Sequence, residues 1–137
     1  QSLVEPVTSF MERSFPQAVG QLGEMVKIQG IAWPAFDPSN LEASADLVAQ
    51  YFRDLGFFDF VDIRRAPKPD GQMGSPAILA RKQGAPNRPH VLLYAHHDVQ
   101  PPGELELWES DPFTATLKGD RLFGRGVSDD KSGIITQ

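Results

Sequence analysis

The sequence predicts an α/β fold in which helices cover a mixed or parallel sheet, and three observations carry that expectation. Two helix-period stretches come first, within residues 1–28 and 39–55. Two short β-rich runs follow, Phe57 to Arg64 and Pro76 to Lys82. They lead into Val91-Leu92-Leu93-Tyr94-Ala95, an uncharged run fenced by Pro89 and Pro101, which reads as a strand buried on both faces in the middle of the sheet.

Each element has its own signal. From Gln1 to about Ile28, Val19, Leu22, Met25 and Val26 recur at three- and four-residue steps, with Pro16 expected in a first turn behind Ser14. Gly30 to Pro38 has no period and is expected to be an ordered loop whose Trp33 and Phe36 pack on the core. Ser39 or Asn40 is placed to cap a second helix with an apolar stripe of Leu41, Ala45, Val48, Phe52 and Leu55, and Gly56 stands at its C-terminal cap. Prolines and glycines between Ala66 and Pro76 separate the first two strands, and Gly84-Ala85-Pro86-Asn87 turns the chain into the third. Phe113 to Leu117 alternates as a strand, Gly119-Asp120 turns, and Arg121-Leu122-Phe123 returns as a hairpin partner. A helix is expected to open at Lys131 and run to Thr136. No repeat or linker divides the chain, so one domain is expected.

Composition excludes several classes of function. Thirteen basic and 18 acidic side chains give a formal charge of -5, and the absence of any Lys/Arg-rich run removes the footprint of a nucleic-acid partner. With no cysteine, a disulfide framework, a thiolate metal site and a cysteine nucleophile are all ruled out, so a metal here must use His and carboxylate ligands. No apolar run approaches the roughly 18 residues of a membrane span, and the N-terminus lacks the layout of a signal peptide. No membrane partner is expected, and the composition suits the cytoplasm.

Chemistry concentrates at two places. His96-His97-Asp98 follows the apolar run, at the strand edge where open α/β sheets bind ligands. Strand alternation sends His96 and Asp98 to one side and His97 to the other, and a His-x-Asp pair can hold a metal with the carboxylate orienting the imidazole. The second place is Gly124-Arg125-Gly126-Val127-Ser128-Asp129-Asp130-Lys131. A dinucleotide fingerprint fails there because Asp129 stands where the third glycine belongs, and neither a phosphate-loop ending nor calcium-loop spacing is present. Taken alone, Ser128, Asp129 or Asp130 would simply cap the helix that follows. Glu104, Glu106 and Glu109 between the two places read as the wet side of a loop. A His-x-Asp at a strand end together with an Asp-Asp at a helix start is how a cation site is assembled from separate segments.

On these motifs the chain resembles the metallopeptidase family that includes carnosinase-like dipeptidases, glutamate carboxypeptidase, acetylornithine deacetylase and succinyl-diaminopimelate desuccinylase. The matching segments are His96 to Pro101, Trp108 to Phe113 and Gly124 to Lys131. The resemblance implies two metal ions, usually zinc, one bound by His96 and both bridged by Asp129. It makes Asp98 the catalytic carboxylate that orients His96, leaves His97 outside the ligand set, and implies a cis bond between Asp129 and Asp130. It also implies that residues 1–137 are the N-terminal part of a catalytic domain, inactive by itself. The Glu-Glu pair holding the general base, the remaining ligands and a lid domain that mediates homodimer formation would lie beyond Gln137. The intact enzyme would cleave a dipeptide or N-acyl amino acid, a deacylase or desuccinylase being the near alternative. The rival from another class is a non-catalytic binding module whose acidic turn only caps a helix.

Overall fold

A computed structural model describes residues 3–137, and its longest element is α1 (Val4–Lys27), an uninterrupted helix of 24 residues. Pro16 therefore sits inside the helix and not in a first turn. A proline there removes one backbone hydrogen bond. In the preceding turn the Ser14 hydroxyl donates back to the carbonyls of Phe10 (2.9 Å) and Met11 (3.3 Å), so it does not act as a cap. Only the last turns of α1 are buried, through Leu22, Met25 and Val26, while Val7, Phe10, Met11 and Phe15 are exposed.

Helix α2 (Ser39–Asp54) buries Leu41, Ala45, Val48 and Ala49, and Leu55 at the end of the expected stripe is exposed. The carboxylate at its N-terminus comes from two residues upstream of Ser39. Neither Ser39 nor Asn40 caps it; the Asp37 carboxylate accepts the Ser39 N–H at 2.9 Å, and hydrogen bonds from Ser39 hold its carboxyl below the usual carboxylate range. Gly56 takes the left-handed conformation expected of a C-terminal cap, at φ 60°. Trp33 is half exposed, which corrects the expectation that it packs on the core.

The strands form two antiparallel pairs. β1 (Phe60–Arg64) pairs with β2 (Ala77–Arg81) in the register Phe60↔Arg81 to Arg64↔Ala77, and β3 (Thr116–Lys118) pairs with β4 (Arg121–Phe123) around Gly119. A parallel bridge joins Ile31 to Val99, with the Val99 N–H donating to the Gly30 carbonyl at 2.9 Å. The last helix, α3, spans Lys131–Thr136. Among the described residues no helix is long and apolar enough to cross a membrane.

The expected central strand is the main correction. Residues 91–95 belong to no ladder among the described residues, and Leu92 is 92% exposed. A strand is defined by its neighbours' N–H and C=O groups, and β1 and β2 pair with one another instead. The segment borders an open apolar groove of about 410 Å³ lined also by Leu41, Val48, Phe52, Ile78 and Ile134. Ala95 reaches inward, packing on the cluster of Met25, Val48 and Ile134.

The glycines of the Gly124-Arg125-Gly126 run are required by packing. A Cβ on Gly126 would lie 2.7 Å from Val99 Cγ1 at a φ of +85°, and one on Gly124 would lie 2.9 Å from Val127 Cγ2. Gly84 has nothing within 4 Å. Gly126→Ala should therefore lower unfolding free energy by about 2 kcal/mol, from left-handed strain plus overpacking. Gly84→Ala should change it by less than about 0.5 kcal/mol in the same urea titration.

Candidate metal centre

His96 stands between two carboxylates from opposite ends of the site. Its Nδ1 lies 3.1 Å from both the Asp98 carbonyl oxygen and Asp98 Oδ1, and its Nε2 lies 3.0 Å from Asp129 Oδ1. Both partners of Nδ1 are acceptors, so Nδ1 carries the proton in the neutral ring. The lone pair of Nε2 then points at a carboxylate oxygen. Two acceptors at that separation repel unless a cation, either a proton on Nε2 or a metal ion, stands between them. Partial burial, the largest single influence, lowers the His96 pKa; hydrogen bonds to the Asp98 backbone and the Asp129 side chain, with the charges of both carboxylates, outweigh it and raise the pKa above its ordinary value.

The donor set fits a divalent ion. Two ligand atoms about 2.0 to 2.1 Å from one tetrahedral zinc are roughly 3.3 Å apart, and the observed 3.0 Å is close to that. The side chain of Asp129 is 85% exposed, which leaves its second oxygen open to a further ion or ligand. Among the described residues no group of three or more His, Asp and Glu side chains forms a complete cage. The arrangement is one imidazole nitrogen facing one carboxylate oxygen, with a second carboxylate behind the ring.

The acidic turn faces His96 and does not cap its helix. Asp130 is the N-cap residue of α3 yet makes no side-chain cap bond; its Oδ2 accepts the backbone N–H of His96 at 3.2 Å. The bond between Asp129 and Asp130 is cis. A Cβ on Gly133 would overlap the Asp130 carboxylate, so the first turn of α3 must leave that space empty.

His97 points the other way, as alternation requires. Its Nε2–H donates to the Pro76 carbonyl at 2.9 Å and its Nδ1 meets the buried Ser44 hydroxyl at 3.0 Å, so it joins α2 to the residue before β2. Glu109 pairs with Lys118 at 3.1 Å on the surface, and Glu104 and Glu106 are also exposed.

Two residues that sequence reasoning passed over hold the motifs together. Arg125 donates from Nη2 to the Pro101 carbonyl (3.1 Å), lies over the Trp108 ring (5.3 Å), and donates its backbone N–H to Pro112 O (2.6 Å). It thereby touches all three motif segments. Lys131 is fully buried, its Nζ donating to the carbonyls of Met25 (2.5 Å) and Ile28 (2.8 Å) at the end of α1. Burial pushes its pKa down to about 8, and the nearby Asp98 charge partly offsets that. A signal for Lys131 was present, since it precedes Ile134 and Ile135 by one helical turn and so lies on the apolar face of α3. Arg125 has no such periodic signal and is marked only by its place in the Gly124 to Lys131 motif.

Comparison with known proteins gives a consistent picture. Residues 92–137 match the model of peptidase family M20/M25/M40. The beta-Ala-His dipeptidase of Rattus norvegicus is 39% identical over 65% of this chain and 19% of its own length. The succinyl-diaminopimelate desuccinylase of Gluconobacter oxydans is 36% identical over 64% of this chain and 21% of its own length. Human carnosine dipeptidase 1 superposes with a TM-score of 0.77 at 26% identity, over 94% of this chain and 28% of that one. The chain spans about a fifth of the length of these two curated relatives. The resemblance read from the three motifs is therefore to the M20/M25/M40 peptidases, in sequence over residues 92–137 and in fold over almost the whole chain.

Proposed function

We propose that the protein containing this chain is a metal-dependent hydrolase that cleaves the amide bond of a dipeptide or N-acyl amino acid. Residues 1–137 form the N-terminal part of its catalytic domain. The observation that carries the reading is the His96 Nε2 and Asp129 Oδ1 pair, 3.0 Å apart and brought from separate segments, with Asp98 on the far side of the imidazole. Relatives named as dipeptidases and as a desuccinylase support the substrate class.

His96 offers Nε2 as a ligand because Asp98 holds the proton on Nδ1 and fixes the ring plane. Asp129 offers an exposed carboxylate that would hold metal through the oxygen facing His96 and leave its other oxygen free for a further ligand. The chemistry supplied there by two divalent ions, zinc in this reading, is polarisation of the scissile carbonyl and acidification of a water. Asp98 keeps negative charge behind the imidazole, which strengthens Nε2 as a donor of its lone pair. The base that takes the water's proton belongs to a Glu-Glu pair beyond Gln137, together with the remaining ligands, so residues 1–137 alone are inactive. The complete protein is a cytoplasmic homodimer in this reading, and sequence beyond Gln137 carrying no Glu-Glu pair and no later His would overturn it.

The binding-module alternative needs the acidic turn to serve α3. That is disfavoured because neither Asp129 nor Asp130 makes a cap bond there and both face His96.

In the full-length protein His96→Ala should abolish hydrolysis and remove one metal by elemental analysis. His97→Ala should keep both metals while lowering stability by about 1–3 kcal/mol, because it removes the ring's hydrogen bonds to Ser44 and to the Pro76 carbonyl. Loss of a metal from His97→Ala alone would shift the ligand register by one residue. Asp98→Asn should retain both metals and lose most turnover, since the amide keeps the shape but gives up the charge behind the ring. Metal content beside the rate of dipeptide cleavage separates these outcomes.

A further inference from the structure

We propose that Lys131 is a positioning residue for the metal centre, coupling the end of α1 to the turn that carries Asp129. The inference rests on the metal-site reading above and adds a residue that ligates nothing. Three geometric facts carry it. The ammonium is completely buried and donates to two carbonyls at the end of α1, Met25 O, which also takes the Ile28 N–H, and Ile28 O, just past the last turn. The Lys131 backbone N–H donates to Gly126 O at 3.1 Å, so one residue fixes both the glycine turn and the helix end. Asp129 lies two residues before it, with Asp130 bonded to the His96 backbone.

The physical argument is one of reciprocal constraint. A buried ammonium keeps its charge only where acceptors surround it, and the carbonyl end of a helix is such a place. With Nζ fixed there, the start of α3 cannot slide or rotate relative to α1, and the Asp129 oxygen stays near Nε2 of His96. Removing the ammonium leaves every proposed ligand in the chain but frees the turn. Preorganisation of the ligand pair is lost, and metal affinity falls with it.

The test uses full-length protein stripped of metal and titrated with Co²⁺ alone, followed by its visible spectrum and by calorimetry. Lys131→Met, matched in length but uncharged, should weaken Co²⁺ binding by about 10- to 100-fold, the range for residues that orient metal ligands. Lys131→Arg keeps the cation and should retain more affinity than Lys131→Met. A Lys131→Met protein that loses stability yet binds Co²⁺ as tightly as wild type makes the lysine purely structural and overturns the proposal. So does equal loss in the Met and Arg variants. Should Lys131→Met fail to fold, hydrogen exchange on the wild type decides. Saturating Co²⁺ should slow exchange of amides in residues 25–31 as well as 124–131, because coupling between two sites is reciprocal. Unchanged exchange at 25–31 overturns the coupling, whereas wild type that takes up no Co²⁺ at His96 and Asp129 overturns the metal-site reading and the inference with it.

Discussion

A helix that ends inside a protein leaves carbonyls that water cannot reach, and this constraint organises the chain. α1 ends among Met25, Val26 and Ile31, all buried; Met25 O takes the Ile28 N–H, and the Ile28 carbonyl beyond it needs a donor from elsewhere. That donor is Lys131, more than a hundred residues later in the sequence. Its neighbours must then fit closely. Gly126 has room only for hydrogen because Val99 and the Lys131 stem pass against it, and Gly124 lies under Val26 and Val127. The glycines that resemble a phosphate loop on paper are in fact where the third motif closes onto α1 and the segment following His97.

The sequence was most legible where one local rule decided the outcome. The Gly56 cap, the start of α3 and the α2 stripe up to its exposed last member, Leu55, each depend on a period or a turn residue and are present, and the hairpin turns at Gly119 although its first strand is Thr116–Lys118 and not Phe113 to Leu117. The errors arise where distant residues decide. Pro16 looked like a helix start because a mid-helix proline is unfavourable by about 3 kcal/mol, yet α1 continues through it. Ser39 looked like a cap, but Asp37 upstream reaches its N–H first. At the site, alternation correctly separated His96 from His97, whereas the clamp of Arg125 across three segments has no periodic signature to read.

Residues 91–95 show why composition alone cannot place a strand. Val, Leu and Tyr report a preference for extended, pleated surroundings, but that preference reflects contact with neighbouring strands more than any intrinsic backbone bias. Here the run borders a groove shared with α2, β2 and α3, and only Ala95 reaches the core. Its importance to the site does not depend on pairing. The run delivers His96 and His97 to opposite sides, and it is held at its far end by Val99, which bridges to Ile31 and packs on Gly126.

The charge arrangement around His96 follows from the same anchoring. Asp98, Asp129 and Asp130 converge on one imidazole and its backbone N–H, in a chain whose formal charge is already -5. The cation adjacent in sequence, Lys131, would ordinarily neutralise such a turn. Instead its ammonium is turned away into the end of α1. The ion pair formed by Asp129 among the described residues is with His96 itself, and it requires a proton on Nε2. The fold thus uses its nearest fixed positive charge to complete a helix, leaving carboxylate oxygens and an imidazole nitrogen facing one another with a space that favours a positive charge. A proton satisfies that demand with one unit of charge, and a divalent ion satisfies it with two.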